Sequence, residues 1–194
     1  MSASYVSALV AAQEAASAQH YPQGALYVVA TPIGNLADIS LRALHVLQKV
    51  DVIACEDTRH TQQMLRAYGI DKTSAQWLAV HQHNEAEAAE EVIRRLQAGQ
   101  RVAYVSDAGT PAVSDPGARL AWQVQAAGFR VMPLPGASSV TTLLSACGSF
   151  TAEASGFVFV GFLSSKATER ERAVELLALD GRTQVLLEAP HRIE

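Results

Sequence analysis

Between Arg101 and Gly117 the chain must end a buried strand, open a loop and start a helix within one short stretch. Val102 to Val105 is an apolar run of β-branched and aromatic residues, which predicts an interior strand. The next residues cannot prolong it. Gly109 offers no side chain to pack, Pro111 has no N–H for a ladder, and Asp107 bonds readily to nearby backbone. Asp115 then stands as a helix N-cap with Pro116 in the first turn, and residues 118–127 run as a helix that Gly128 ends. A strand, a glycine loop and a helix N-terminus in that order gather free backbone N–H groups at the C-terminal edge of a parallel sheet. Such an edge is where α/β proteins hold ligands.

The flanking segments repeat the pattern. Ala25 to Ala30 reads as a strand, and Thr31-Pro-Ile-Gly-Asn-Leu-Ala-Asp38 as a loop whose last residue, Asp38, is expected to cap a helix over Leu41, Leu44, Val46 and Leu47. Asp51 to Cys55 follows as a second strand, which makes a β-α-β unit and implies parallel pairing. Polar residues Glu56 to Thr61 come next, then a helix over about 61–68, a strand at Trp77 to Val80, and a polar edge from His81 to Glu85. Asn84 is expected to cap a helix over about 85–98. After the central stretch, Arg130 to Leu134 is a strand and Pro135-Gly-Ala-Ser-Ser139 opens a further helix.

The organisation expected is a loose tail over 1–24, an α/β domain over 25–135 and a partial α/β domain over 136–194. The last part offers strands at Phe157 to Gly161 and Gln184 to Glu188, with a charged helix over 168–179 between them. Lys166, Arg170 and Arg172 are expected on that helix's solvated face. Two strands and one helix are too few for an independent sheet domain, so the chain is expected to be part of a longer protein.

Composition narrows the function classes. The chain has 194 residues, 49% hydrophobic and 18% charged, with no apolar run near the roughly 20 residues of a membrane span. No membrane association is expected. The first residues show no secretory signal, and Cys55 and Cys147 lie apart without a partner motif, which predicts buried free thiols in a reducing, cytoplasmic setting. A net charge of -4 argues against broad electrostatic attraction to nucleic acid, so an RNA partner must be met through a local surface. His81 and His83 lack companions at metal-ligand spacing, and no metal is expected.

No Gly-x-Gly-x-x-Gly follows the first strand and no loop carries Gly-Lys-Ser or Gly-Lys-Thr, which removes the common phosphate grips. The loops 31–37, 107–114 and 135–139 contain no Lys or Arg at all. They suit a nucleoside-like or zwitterionic ligand held by backbone and shape.

The blocks Leu26 to Ile39, Glu56-Asp-Thr-Arg-His-Thr61, His81-Gln-His-Asn-Glu85, Ser106-Asp-Ala-Gly-Thr-Pro111 with Asp115-Pro-Gly117, and Pro133-Leu-Pro-Gly136 together resemble the small-subunit ribosomal RNA 2'-O-methyltransferase I family, a branch of the tetrapyrrole methylases. The resemblance implies a two-lobed tetrapyrrole-methylase-like (class III methyltransferase) α/β fold, with a parallel-sheet N-terminal domain and a truncated C-terminal one. It implies transfer of a methyl group from S-adenosylmethionine to a cytidine ribose in the decoding region of 16S ribosomal RNA. A homodimer acting on the small ribosomal subunit is expected. The donor would lie between the lobes, flanked by Ile33, held by Ala108, Gly109 and Thr110, packed by Val113, and faced by Ser138, Ser139 and Glu188. Asn35, Arg59 and Asn84 would meet the acceptor. A sulfonium donor loses its charge as the methyl leaves, so cation-free loops agree with that chemistry.

A ribose hydroxyl must also be aligned and relieved of a proton. Asp57, Glu56, Asp107 and His83 are the candidates for that base, each with a plainer role as a cap, a loop tie or a surface residue. A tetrapyrrole or other small acceptor, and a nucleoside-binding module without chemistry, are the alternatives.

Overall fold

The computed structural model describes residues 5–81, 83–148, 156–189 and 192–193. The chain divides into two compact units, Met1–Ser138 and Ser139–Glu194.

The first unit is a parallel sheet of five strands, β1 (Ala25–Val29), β2 (Val52–Cys55), β3 (Trp77–Ala79), β4 (Val102–Val105) and β5 (Arg130–Leu134), in the order β3-β2-β4-β1-β5. Helices α1 (Val6–Ala16), α2 (Leu41–Lys49), α3 (Thr58–Ala67), α4 (Glu85–Gln97) and α5 (Gly117–Ala126) accompany it. Strands buried on both faces read as continuous apolar runs, and β1, β2 and β4 are buried at every position. Alternation then sends Tyr27, Val29, Ile53, Cys55, Ala103 and Val105 into one core cluster, with Ala12 and Ala16 of α1, Leu44 and Leu47 of α2 and Leu65 of α3. Leu26, Val28, Val52, Ala54, Val102 and Tyr104 enter another, with Val92 and Leu96 of α4 and Leu120 and Val124 of α5. The result is a three-layer α/β/α unit.

Strand order decides where a ligand can sit. From β1 the chain crosses through α2 to β2 on one side, and from β4 it crosses through α5 to β5 on the other, although β1 and β4 are hydrogen-bonded neighbours. Their C-terminal ends therefore flank a topological switch point.

Several sequence expectations need correction. The stretch expected as a loose tail contains α1, whose Tyr5, Ala8, Leu9, Ala12 and Ala16 recur along one face and pack into the core. Asp38 does not cap α2; it ends a 3-10 turn, Leu36–Asp38, and Ser40 accepts the Ala43 N–H at 3.0 Å instead. Helix α3 starts at Thr58 rather than near residue 61, because Asp57 caps it. Asn84 precedes α4 but makes no side-chain cap. Cys55 is buried, with its thiol pushed up to about 11 mainly by burial, whereas Cys147 is exposed.

The second unit holds α6 (Ser139–Cys147), β6 (Phe157–Phe162), α7 (Ala167–Leu177) and β7 (Thr183–Leu187). Strands β6 and β7 pair in parallel, with a register shift between Phe159 and Gly161 that Gly161 accommodates at φ 77°. On α7, Lys166 pairs with Glu169 at 2.9 Å, Arg172 is exposed, and Arg170 donates to the carbonyls of Ser164 and Ser165. Among the described residues no helix is long and apolar enough to cross a membrane.

Candidate active site

The loops after β1 and β4 are stapled to each other. Thr31 N–H donates to the Gly109 carbonyl at 3.0 Å, Gly109 N–H donates back to the Thr31 carbonyl at 3.1 Å, and the Thr31 hydroxyl donates to the Ser106 carbonyl at 3.1 Å. The loop after β5 joins them. Thr110 Oγ1 donates to the Ala137 carbonyl at 2.9 Å, and a Cβ on Gly136 would stand 2.7 Å from the Ala30 Cβ, so only glycine permits that approach. Gly109 adopts φ +83°, and a Cβ there would meet Ile33 Cγ2 at 3.3 Å.

The bends after β1 and β4 border a hollow of about 400 Å³, within the range of small-molecule sites. Pro32, Gly34 and Leu36 supply one wall, Asp107 and Ala108 another, and His60, Gln63, Met64 and Ala67 of α3 the third. Among the described residues no Lys or Arg lines it.

Carboxylates gather at the adjoining strand ends. Glu56, half-buried just past β2, is pushed up to about 7, first by burial and then by the charges of Asp115 and Asp107. Asp57 goes the other way. Its Oδ1 accepts the backbone N–H groups of Arg59 at 2.8 Å and His60 at 3.1 Å, and these bonds hold its carboxyl below the usual range. A capping carboxylate held ionised is a poor proton acceptor, so Asp57 is a cap before it is a base. Asp107 Oδ1 accepts the Asp57 N–H at 3.3 Å, and His60 Nε2 lies 3.2 Å from the Asp107 carbonyl oxygen, so the β4 loop and the start of α3 are bound together.

Beneath Glu56, Asp115 accepts the Tyr104 hydroxyl at 3.1 Å and the Gly117 N–H at 2.8 Å, and both its oxygens take the Ala112 N–H. Asp115 is not the N-cap expected, since Pro116 holds that position without a side-chain cap, but from one residue earlier it takes the first N–H of α5 while presenting charge to the cluster. Gly117 is required there, since a Cβ would overlap the Tyr104 ring. Burial and the Asp115 charge push the Tyr104 phenol up, so it stays a donor.

The remaining candidates fall in different places. Of the expected donor contacts only Ala108 lines the hollow; Gly109 packs on Ile33, Thr110 bonds to the Ala137 carbonyl, and Ser138 is the last residue of the first unit. Val113 is exposed and borders a separate open hollow of about 560 Å³ with Glu85, Asp115 and Arg119. Ser139 and Glu188 belong to the second unit, where Glu188 accepts its neighbour Ala189 N–H at 2.8 Å and pairs with Arg192 at 3.1 Å.

Arg59 is exposed on the first turn of α3. Asn35 turns inward on its own loop, accepting the Ala37 N–H at 3.0 Å. Asn84 accepts the His81 N–H at 2.8 Å and donates to the Ala79 carbonyl at 2.9 Å, so its side chain shapes the loop after β3. His83 is exposed, its ring 6.2 Å from that of His81. Among the described residues no three His, Cys, Asp or Glu side chains are grouped to hold a metal ion.

The α3 wall escaped the sequence reading, although His60, Met64 and Ala67 recur at helical spacing once the helix is started at its Asp57 cap.

A parallel sheet with a hollow at its switch point, and no phosphate-gripping motif in the sequence, defines a class, and the family model for Tetrapyrrole (Corrin/Porphyrin) Methylases matches residues 25–194, so the chain belongs to that family. Nearer relatives are more particular. The protein named Ribosomal RNA small subunit methyltransferase I of Neisseria meningitidis serogroup B is 52% identical over 170 residues, covering 88% of this chain and 56% of its own length. Its namesake in Escherichia coli O157:H7 is 48% identical over 171 residues, covering 88% of this chain and 58% of its own. The chain thus spans a little over half the length of these curated relatives. Among solved structures, uroporphyrin-III-C-methyltransferase from Thermus thermophilus superposes with a TM-score of 0.54 at 23% identity, over 73% of this chain and 60% of that one. A cobalt precorrin-4 methyltransferase gives 0.53 at 18%, over 77% and 63%. These two likenesses show the fold.

Proposed function

We propose that the protein to which this chain belongs transfers a methyl group from S-adenosylmethionine to the ribose 2'-hydroxyl of a cytidine in the decoding region of small-subunit ribosomal RNA. The observation that carries the reading is a hollow walled by the loops after β1 and β4, with no Lys or Arg in its described lining, whose Asp107 is electrostatically coupled to a half-buried carboxyl, Glu56, pushed up to about 7. The names of the relatives support the acceptor class. The donor supplies an electrophilic methyl group on a sulfonium centre.

Residues of this chain fit such a molecule. The absence of Lys and Arg around the hollow spares a sulfonium from repulsion. Gly109, buried at φ +83°, lets its bend close against Ile33 and the Ala137 carbonyl, which holds Asp107 and Ala108 in place along the hollow. Pro32, Leu36, Met64 and Ala67 exclude water from the donor's apolar parts. Glu56 takes the hydroxyl proton as the base, a role its raised proton affinity suits better than the ionised cap Asp57.

Arg59 is read as a contact to RNA phosphate or ribose, exposed on the first turn of α3 two residues past Asp57. Arg59→Ala in the full-length protein is expected to raise the KM for the ribosomal acceptor about five- to tenfold, the effect of losing one phosphate contact, with donor affinity unchanged. Steady-state kinetics against both substrates checks this.

Labelled methyl transfer by the full-length protein tests the function. Label should enter small ribosomal subunits and be recovered as a 2'-O-methylated cytidine. Transfer to a tetrapyrrole alone, or label on a base, would contradict the proposal.

A further inference from the structure

Helix α1 lies ahead of residues 25–194, the part that matches the family. It is nevertheless built into the first unit, with Ala12 0% and Ala16 1% exposed against the core and α2 alongside. At its start, Tyr5 sets its ring edge-on to Tyr68, with centroids 5.5 Å apart. Tyr68 is the C-cap of α3 and is fully buried, and its hydroxyl donates to the Leu36 carbonyl at 2.6 Å. Leu36 opens the 3-10 turn after β1 and lines the hollow, as do Met64 and Ala67 on the last turns of α3. Burial, together with Tyr5 and Asp38, pushes the Tyr68 phenol up, so it remains a donor across the working pH range.

We propose that α1 is a brace for the ligand hollow: through Tyr5 and the Tyr68 hydroxyl it locks the Leu36 turn against the end of α3, and so sets the affinity for the donor. Without this contact the backbone of the Leu36 turn keeps only short-range hydrogen bonds, Ala37 N–H to Asn35 Oδ1 and Asp38 N–H to the Asn35 carbonyl, each 3.0 Å, beside the packing of the Leu36 side chain on the core. A 3-10 turn with no longer-range backbone bond opens more readily, and a wall that opens must be ordered again each time a ligand binds. Tyr68 is on this account a positioning residue. It touches no ligand and acts through Leu36.

The proposal rests on the reading of the hollow as the donor site, so its test has one arm without ligand. In the full-length protein, Tyr68→Phe keeps the ring and removes one hydrogen bond, and Tyr5→Ala removes the ring that packs on it; deletion of residues 2–17 removes the brace entire. Amide hydrogen exchange at Ala37 and Asp38, measured without ligand, should speed up in all three, by about three- to tenfold in Tyr68→Phe, the size of one net hydrogen bond. Donor KM should rise by about the same factor, with kcat at saturating donor and acceptor KM unchanged. Tyr5→Phe should restore both readouts to the unaltered level. A general loss of stability would not separate donor KM from kcat, and the two point variants keep the test open if the deletion does not fold. Unchanged exchange at Ala37 and Asp38, or faster exchange with unchanged donor KM, overturns the brace. Failure of the unaltered protein to bind S-adenosylmethionine overturns the donor reading itself, and is told apart because the exchange arm needs no donor.

Discussion

Glu56→Gln in the full-length protein is expected to cut the rate of methyl transfer by about 10²- to 10⁴-fold, the usual share of a general base, while donor affinity stays within about twofold. The amide matches the carboxyl in shape but cannot take a proton. The pH dependence follows from the carboxyl's environment. Burial and the charges of Asp115 and Asp107 push Glu56 up to about 7, so the base is mostly protonated at pH 6 and mostly free at pH 8. The unaltered protein should therefore gain rate as pH rises through about 7, and the variant's small residual rate should lack that limb.

A stability corollary runs in parallel. A carboxyl whose folded pKa lies above its unfolded value contributes stability at pH below the unfolded value, about 4.5, and loses that contribution as pH rises through about 7. Glu56→Gln should accordingly melt higher than the unaltered protein at pH 8, with the difference narrowing towards pH 5. Thermal melts across that range check it. Equal activity of the variant at pH 8 would remove Glu56 from the chemistry.

Gly109→Val is expected to weaken donor binding by about ten- to a hundredfold without unfolding the chain. Gly109 holds φ +83°, which costs a β-branched residue on the order of 1–2 kcal/mol, and its Cβ would crowd Ile33 Cγ2 at 3.3 Å. The loop can relieve both only by pulling away from Thr31, which breaks the paired backbone bonds of 3.0 and 3.1 Å that staple the two loops. Each lost bond adds about 1 kcal/mol. The strain is local to a loop beyond the end of β4, so the sheet should persist; calorimetric titration together with circular dichroism separates lost binding from lost fold.

The chain's apolar runs and its glycine and proline breaks made the parallel strands and the loops at their C-terminal ends legible in advance. Strand order was not. That β4 inserts between β1 and β2 depends on pairing across half the first unit, such as Leu26 with Val102 and Ile53 with Ala103, and local periodicity carries no record of it. Helix α1 was missed because its inward stripe rests on Ala8, Ala12 and Ala16, which look no more apolar than the alanines around them.

The choice among acids stayed open in the sequence for a related reason. Asp57 and Glu56 are adjacent and look alike in sequence, but one spends its charge on the N–H groups of α3 while the other loses solvent and faces Asp115 from a distant loop. Only the second difference is nonlocal. The first was readable, had the Asp57-Thr58 step been taken as a helix start.

Titration of the full-length protein with S-adenosylmethionine, alongside Gly109→Val, tests the central claim most directly. Saturable one-to-one binding that the substitution weakens at least tenfold is the predicted result. No heat of binding at millimolar donor, or equal affinity in both proteins, would contradict the assignment of the hollow.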